Sequence, residues 1–182
     1  IITGKGRQLW VESIGKQIPF GDTTAILVCI RDVTDRRKAE AALRESEAKF
    51  STVFKKSPVA LTLVSANDGI FADVSDSFIT NTGYSREEVI GRKAEQIGIF
   101  PDVAAYLRMV SVLRENHSLK AMEIPCRNKD GGIRTCRFTS CLIMMGKTPH
   151  ILSTVEDITD QKAAESAVNA LVTGMAETTG RE

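Results

Sequence analysis

Residues 155–168 read VEDITDQKAAESAV, and residues 30–43 carry nearly the same pattern as IRDVTDRRKAEAAL. The two stretches are about 125 residues apart, and the correspondence continues upstream without a gap, for example from Gly21 to Gly146. A spacing of this size is typical of whole domains rather than of a solenoid repeat. We therefore expect the end of one domain, a connecting helix, a complete second domain and the start of another helix.

The composition is that of an ordinary globular protein. Of the 182 residues, 42% are hydrophobic and 26% are charged, and the net charge is +1. This balance gives no electrostatic attraction to nucleic acid or to an anionic membrane, so neither is expected as a partner. No apolar run approaches the ~20 residues of a membrane span, and we expect a cytoplasmic chain. The chain begins with Ile1, which indicates a fragment of a larger protein.

The cysteine pattern does not predict a metal site. Cys29, Cys126, Cys136 and Cys141 form no C-x-x-C pair, and the chain has only two histidines. A hairpin turning near residues 130–131 would place Cys126 and Cys136 roughly opposite each other. We interpret them as small apolar residues on buried strands, and a redox pair is the alternative.

The N-terminal part is predicted to form two strands and a helix. The strands cover residues 8–13 and 24–31 and are joined by a loop around Pro19 and Gly21. Thr34 suits a helix N-cap. The apolar residues of this helix then alternate four and three apart, as in a coiled-coil seam. They are Ala39, Leu43, Ser46, Phe50 and Val53. A second seam follows Thr159 and comprises Ala164, Val168, Leu171 and Met175. A solvated single helix is the alternative to a dimeric coiled coil.

The remaining pattern predicts two strands, several helices and then three strands. The predicted strands are residues 59–64, 70–74, 119–127, 134–145 and 151–156. Predicted helices cover residues 75–82, follow the capping box at residues 85–88, and begin again after Pro101. The last of these helices carries a predicted apolar stripe, which comprises Ala104, Leu107, Val110, Ser111 and Leu113–Arg114. Because helices cluster between strands instead of alternating with them, the pattern favours an α+β fold with an antiparallel sheet.

Five motifs in sequence order resemble those of a PAS domain with its PAC segment. They are SPVA at 57–60, DGIF at 68–71, TGYSREEVIG at 82–91, KDG at 129–131 and EDITD at 156–160. The resemblance covers about residues 46–160, and it implies a PAS fold: a five-stranded antiparallel sheet with short helices on one face. One departure is Ser75, where the family often has Asn.

The resemblance also divides the chain. It implies that residues 1–34 are the C-terminal strand pair of a preceding PAS/PAC domain and that residues 35–56 form a linker helix. A complete PAS/PAC domain would occupy residues 57–160, followed by an exit linker helix at residues 161–182.

The resemblance implies neither of two familiar cofactors. Flavin-binding light sensors of this family carry a reactive cysteine soon after the glycine that matches Gly91, and this chain reads GRKA at 91–94. Oxygen-sensing haem domains place a histidine three residues before a tyrosine on the long helix, where this chain has Val103 before Tyr106. Flavin adduct chemistry and haem binding are therefore not expected. The sequence names no other cofactor.

A small-molecule ligand remains an open possibility of the predicted core, which could equally be filled by side chains. Pockets of this kind are mostly apolar with few polar groups. The candidate lining residues are Leu61, Leu63, Phe71, Phe78, Ile79, Ile90, Leu107, Val110, Met122, Ile124, Cys136, Phe138 and Ser153.

The strand-to-helix boundary is the candidate signal relay. Asp157 and Thr159 resemble the D-x-T element of the family, and their short polar side chains can bond backbone groups at the strand end and helix start. Asp32 and Thr34 repeat the pair before the first helix. A homodimer through the linker helices is expected. In such a dimer, a rotation of the exit helix would change which residues fill the seam between the two copies.

The resemblance implies a sensory and signal-relay module of a larger signalling protein, such as the histidine kinase of a two-component system or a cyclic-dinucleotide enzyme. A ligand-free dimerisation spacer is the alternative. An enzyme fragment is a second alternative, but the sequence has no P-loop, no dinucleotide-binding glycine motif and no nucleophile elbow. We therefore expect no catalytic residues in the chain.

Overall fold

The structure, a computed structural model, describes residue 6 and residues 8–179 and divides into two compact units, Ile1–Thr52 and Val53–Glu182. In the first unit, β1 (Val11–Phe20) and β2 (Thr23–Asp32) form an antiparallel hairpin, and α1 (Thr34–Lys55) begins directly after it. Residues 1–5, 7 and 180–182 of the predicted strand pair and exit helix lie outside the described residues.

The first hairpin differs from the sequence prediction. β1 begins at Val11 and continues to Phe20, and Pro19 pairs with Thr24 instead of lying in the loop. The turn is made at Gly21, whose φ of 59° is accessible to glycine. The described part of this sheet has two strands, so each is an edge strand, and an edge position tolerates the missing N–H of proline.

The second unit contains the predicted five-stranded antiparallel sheet, in the order β4-β3-β7-β6-β5. Its strands are β3 (Ala60–Ser65), β4 (Phe71–Val74), β5 (Ser118–Arg127), β6 (Ile133–Met145) and β7 (Thr148–Asp157). The predicted α+β class is therefore confirmed. The exit helix α6 (Thr159–Thr179) follows β7 directly.

Four helices connect β4 to β5: α2 (Asp76–Thr82), α3 (Arg86–Val89), α4 (Ala94–Ile97) and α5 (Val103–Asn116). Asp102 caps α5 by accepting a hydrogen bond from the Ala105 N–H at 2.9 Å. The sequence did not predict α4, because one turn of helix is too short to show an apolar period. Within the described chain, no helix is both long and apolar enough to cross a bilayer.

The hydrophobic core of this unit lies between one face of the sheet and these helices. α5 enters the core through Ala105 and Leu113, which are buried, and through half-buried Tyr106. Of the predicted stripe, Leu113 is buried, whereas Ala104 and Leu107 are exposed. Tyr106 stacks against Phe100, with ring centroids 4.6 Å apart.

Ser75 connects three segments at the edge of this core. Its side chain is fully buried, and its Oγ accepts hydrogen bonds from the N–H of Leu61 at 2.8 Å and of Phe78 at 3.3 Å. The same hydroxyl donates to the carbonyl of Val59 at 3.2 Å. A serine at this position therefore joins β3 to the start of α2 through bonds that water cannot replace.

We predict that Ser75→Ala lowers the free energy of unfolding by about 1–3 kcal/mol, because the buried Leu61 N–H loses its acceptor. Urea denaturation followed by circular dichroism measures the change. Thr80→Ala is the control: Thr80 is exposed on α2 and bonds only the Asp76 carbonyl of its own helix. The control should shift stability by less than about 0.5 kcal/mol. An equal loss in both variants would contradict the assigned role.

Candidate functional site

A cavity of about 630 Å³ lies within the second unit, between the sheet and the helices. Five aromatic side chains contribute to its wall: Phe71, Phe78, Phe100, Tyr106 and Phe138. Besides its stacking on Tyr106, Phe100 tilts against Phe138 with centroids 5.7 Å apart. The volume falls within the range of about 300–1,000 Å³ that is typical of small-molecule sites.

The buried polar side chains of the cavity wall all carry hydroxyl groups, whereas the charged side chains of the lining are exposed. Ser140 and Ser153 are both buried, and the Ser140 hydroxyl donates to the Ser153 Oγ at 2.8 Å. Burial raises the pKa of Tyr106, so its phenol remains protonated at neutral pH. An apolar wall with a few hydroxyl groups suits a largely apolar molecule that can make one or two hydrogen bonds.

The cavity reaches the protein surface beside the turn between β3 and β4. Exposed Asn67 and Asp68 belong to its lining, together with exposed Lys93. Asp68 accepts a hydrogen bond from the Ile70 N–H at 3.2 Å, and hydrogen bonds from Ser65 and from this N–H lower the pKa of its carboxyl. The opening gives small solutes a path from solvent to the aromatic wall.

The structure brings together seven of the thirteen candidate lining residues. These are Phe71, Phe78, Leu107, Val110, Cys136, Phe138 and Ser153. The other six do not line the cavity: Leu61, Leu63, Ile79, Ile90, Met122 and Ile124. Ile124 lies in the hydrophobic core, and Ile79, Ile90 and Met122 pack against that core.

Leu61 and Leu63 are excluded by the alternation of β3. Ala60, Thr62 and Val64 line the cavity, and neighbouring residues of a strand point to opposite faces of the sheet. The two leucines therefore face away from the cavity. The sequence favoured the wrong face because Thr62 is polar, although it is buried in the structure.

Sequence reasoning missed several lining residues. Phe100, in the segment before α5, and Tyr106 on α5 were not selected, because neither belongs to the predicted apolar stripe of that helix. Ser140 was also missed, although it is the register partner of Ser153, which was selected. Extending the predicted β6–β7 hairpin by its turn at Gly146 would have paired the two serines and placed them on one face.

The second part of the site is the junction between β7 and α6. The Thr159 Oγ1 donates to the Asp157 Oδ1 at 2.5 Å, and the same carboxylate oxygen accepts the Thr159 N–H at 2.9 Å. The Thr135 N–H on β6 donates to the Thr159 Oγ1 at 2.9 Å. The Ile158 N–H donates to the Thr135 carbonyl at 2.9 Å. The start of α6 is thus bonded to two strands of the sheet.

Two further contacts fix this helix start. Ile158 is 1% exposed and is among the most deeply buried side chains described. Lys162, one turn into α6, forms a 2.8 Å ion pair with Glu123 on β5. Hydrogen bonds from Lys162 and Arg137 lower the pKa of the Glu123 carboxyl, which keeps the ion pair intact at neutral pH.

The first unit repeats the junction at the predicted residues. The Thr34 N–H donates to the Asp32 Oδ1 at 2.9 Å, and the Trp10 N–H donates to the Thr34 Oγ1 at 2.9 Å. The Val33 N–H donates to the Trp10 carbonyl at 2.9 Å, as the Ile158 N–H does to Thr135. Trp10 and Thr135 are equivalent in the sequence repeat. The two D-x-T elements therefore share these three hydrogen bonds, but the Thr34 hydroxyl donates to the Trp10 carbonyl at 3.5 Å, whereas the Thr159 hydroxyl donates to Asp157.

The two hairpins also share one register. Val11 pairs with Asp32 in β1–β2, and the equivalent Cys136 pairs with Asp157 in β6–β7. Every residue pair of the first hairpin, down to Phe20 with Thr23, has its counterpart in the second hairpin. Equal hairpin length and an equivalent turn glycine explain the match.

Comparison with known proteins agrees with this geometry. The methyl sulfide methyltransferase-associated sensor of Methanosarcina acetivorans is 31% identical over 155 residues, which are 84% of this chain and 15% of that protein. The PAS domain of an HTR-like protein from Haloarcula marismortui superposes with a TM-score of 0.53 and 21% identity, over 67% of this chain and 99% of that one. A PAS domain from a two-component sensor histidine kinase gives 0.54 and 19%, over 63% and 98%.

Residues 58–160 match the model of the PAS domain family, which is more than half of the chain. The chain belongs to this family, and the resemblance seen in its sequence is confirmed. PAS domains are sensory domains, and the curated relative is itself named a sensor. Because the sequence identities to these solved structures are low, the structural similarity establishes only the fold.

We predict that Thr159→Val lowers the free energy of unfolding by about 1–2 kcal/mol, because Asp157 and the Thr135 N–H each lose a bond. Amide exchange in the first turn of α6 should accelerate, as followed by hydrogen–deuterium exchange. Thr154→Val is the matched control on β7, where the hydroxyl makes only a long 3.4 Å bond to the Thr139 carbonyl. Unchanged exchange in α6 of the Thr159 variant would refute the role of the junction.

Proposed function

We propose that this PAS domain is the sensory and relay module of a larger signalling protein and that it transmits the state of its cavity to α6. The observation that carries the proposal is that β7 serves both parts of the site. Ser153 and Val155 line the cavity, and Asp157 at the end of the same strand bonds Thr159 at the start of α6.

The physical coupling follows from this shared strand. A molecule that fills the cavity contacts the inward side chains of β7 and changes how the strand packs. Asp157, Ile158 and Thr159 hold the strand end and the helix start together by hydrogen bonds. A shift of β7 therefore also moves the first turn of α6. Packed elements of this kind respond by small rigid shifts rather than by continuous deformation.

The exposed seams of the linker helices support a homodimer as the receiving element. Leu43 and Val53 of α1 are 61% and 74% exposed, and Val168 and Leu171 of α6 are 58% and 69% exposed. Apolar residues at a/d spacing are stabilised by pairing with the same helix of a second copy. The side chain of Met175 lies outside the described side chains.

The register match supports the proposal that residues 1–34 end a preceding PAS domain. Ile26, Val28 and Ile30 of β2 are 67%, 51% and 60% exposed. Their counterparts in the second hairpin are Ile151, Ser153 and Val155, all of which line the cavity. We propose that the rest of the preceding domain covers this face of β2. On this reading, residues 35–56 link the domains, residues 57–160 form the complete one, and residues 161–182 are the exit linker.

The relatives support placing the module in a multidomain receptor. The chain spans only 15% of the Methanosarcina sensor, and one structural neighbour comes from a two-component histidine kinase. A histidine kinase is the output that we favour, and a cyclic-dinucleotide enzyme is the alternative. Catalysis is assigned to other parts of such a protein, because PAS domains are sensory domains.

We predict that the purified protein carries or takes up a small, largely apolar molecule. Mass spectrometry of an organic extract of the denatured protein, together with its absorption spectrum, measures this directly. A stoichiometric ligand is expected, and it should be displaced in Ser140→Phe, which fills the cavity. An empty cavity in protein from its native source would favour a ligand-free dimerisation spacer instead.

The relay can be tested without knowing the ligand. Val110→Trp adds an indole to the cavity wall and should change amide exchange in the first turn of α6. Val112→Trp is the control, since Val112 lies on the same helix outside the cavity lining. Adding Asp157→Ala to Val110→Trp should abolish the response while lowering stability by only about 1 kcal/mol.

In the full-length protein, the same Asp157→Ala change should reduce the regulated output more than it reduces folding. A loss of output in simple proportion to the unfolded fraction would contradict the relay, as would an equal response of α6 to both tryptophan substitutions.

A further inference from the structure

Two cysteines meet in the cavity wall beside the relay junction. Cys126 on β5 and Cys136 on β6 are 4% and 7% exposed, and both line the cavity. They are not directly opposite each other, as the sequence suggested, because Cys126 pairs with Arg134 and Cys136 with Ile124. The two cysteines are thus diagonal neighbours on the same face of adjacent strands.

The two thiols interact with each other and differ in acidity. Hydrogen bonding to Cys136, followed by burial, raises the pKa of the Cys126 thiol. The same hydrogen bond lowers the pKa of the Cys136 thiol. We therefore take Cys136 as the thiol that is oxidised first and Cys126 as the thiol that reacts with it.

Cys136 directly follows Thr135, the β6 residue that is hydrogen-bonded to the start of α6. The preceding residue, Thr135, receives the Ile158 N–H and donates its own N–H to Thr159. The register partner of Cys136 on β7 is Asp157. Any change in the backbone at Cys136 therefore acts directly on the residues that hold the helix start.

We propose that Cys126 and Cys136 form a reversible disulfide in response to peroxide, giving the domain a redox input at the root of α6. The formation of the bond does not depend on the function proposed above, whereas its effect on α6 rests on the proposed relay. The opening beside Asn67 and Asp68 admits an oxidant as small as hydrogen peroxide.

The chemistry balances in two steps. The Cys136 thiolate attacks one peroxide oxygen, the O–O bond breaks, and a sulfenic acid and hydroxide are formed; the hydroxide takes up a proton as water. The Cys126 sulfur then attacks the Cys136 sulfur while its proton passes to the departing oxygen; the S–O bond breaks, and the disulfide and a second water result. Two thiols are oxidised and one peroxide is reduced to two waters. A dithiol reductant reverses the bond by exchange.

Closing this bond requires the strands to move. Diagonal neighbours in a sheet have Cα atoms ~7–8 Å apart, whereas a disulfide holds its Cα atoms within about 4.4–6.8 Å. Because β5 and β6 are already paired, the disulfide must therefore shift the two strands along each other beside Thr135. Through this movement, oxidation would change the hydrogen bond from the Thr135 N–H that holds Thr159.

The exposed cysteines provide an internal control. Cys29 and Cys141 are exposed, and their replacement in Cys29→Ser/Cys141→Ser leaves the buried pair as the only thiols and prevents cross-linking between molecules. After treatment with hydrogen peroxide, both remaining thiols should be lost to alkylation under denaturing conditions. Peptide mapping should identify one bond between Cys126 and Cys136, and dithiothreitol should restore both thiols.

The single variants test the order of the steps. With Cys126→Ser added, oxidation should stop at a Cys136 sulfenic acid that dimedone traps, whereas Cys136→Ser should give little dimedone adduct. If Cys126→Ser or Cys136→Ser does not fold, peptide mapping of the protein that keeps both Cys126 and Cys136 still tests whether the disulfide forms. The peroxide concentration should be one that oxidises Cys29 and Cys141 in the unsubstituted protein. If the thiols of Cys126 and Cys136 remain free at that concentration, the proposal is overturned.

Exchange of α6 amides separates the two proposals. Oxidation should change the exchange rates in the first turn of α6, and reduction should restore them. A disulfide that forms without any change in α6 would overturn the redox input and would count against the relay, while leaving the ligand test unaffected.

Discussion

The structure depends on the bonds that join the end of β7 to the start of α6. The first backbone N–H groups of a helix have no partners within the helix, and here Asp157 supplies one of the missing acceptors. Thr159 then links that carboxylate to the Thr135 N–H on the neighbouring strand. With Ile158 buried below them, the helix has one orientation relative to the sheet, and a rigid helix carries that orientation away from the domain.

In the proposed relay, the cavity matters because its wall includes β7, the strand that leads directly into α6. The aromatic side chains give it an apolar interior, and the Ser140–Ser153 pair gives it a satisfied polar point on β7. The strand that carries Ser153 is the one that ends in Asp157. The cysteine pair lies beside the same boundary on β6. A ligand and an oxidant would therefore act on one mechanical element from two sides.

The sequence predicted the sheet, its strand count and the junction, because these depend on local signals. Each of these signals lies within a few residues: the turn glycines, the D-x-T elements and the apolar strands. The sequence repeat also shows that the two strand-to-helix junctions are equivalent. The cavity lining was less predictable. The face of β3 that turns inward carries Thr62 rather than the leucines, and Tyr106 of α5 stacks on Phe100 of the preceding segment in the cavity wall, a contact between segments that local patterns do not show.

The most direct measurement of the central claim is the exchange rate of individual backbone amides at the junction, by nuclear magnetic resonance of the unmodified protein. The Ile158 and Thr159 amides should exchange as slowly as those of the central strands β6 and β7, because they are bonded to the sheet and to Asp157. Exchange at the rate of an unstructured peptide, with α6 moving independently of the sheet, would contradict the account.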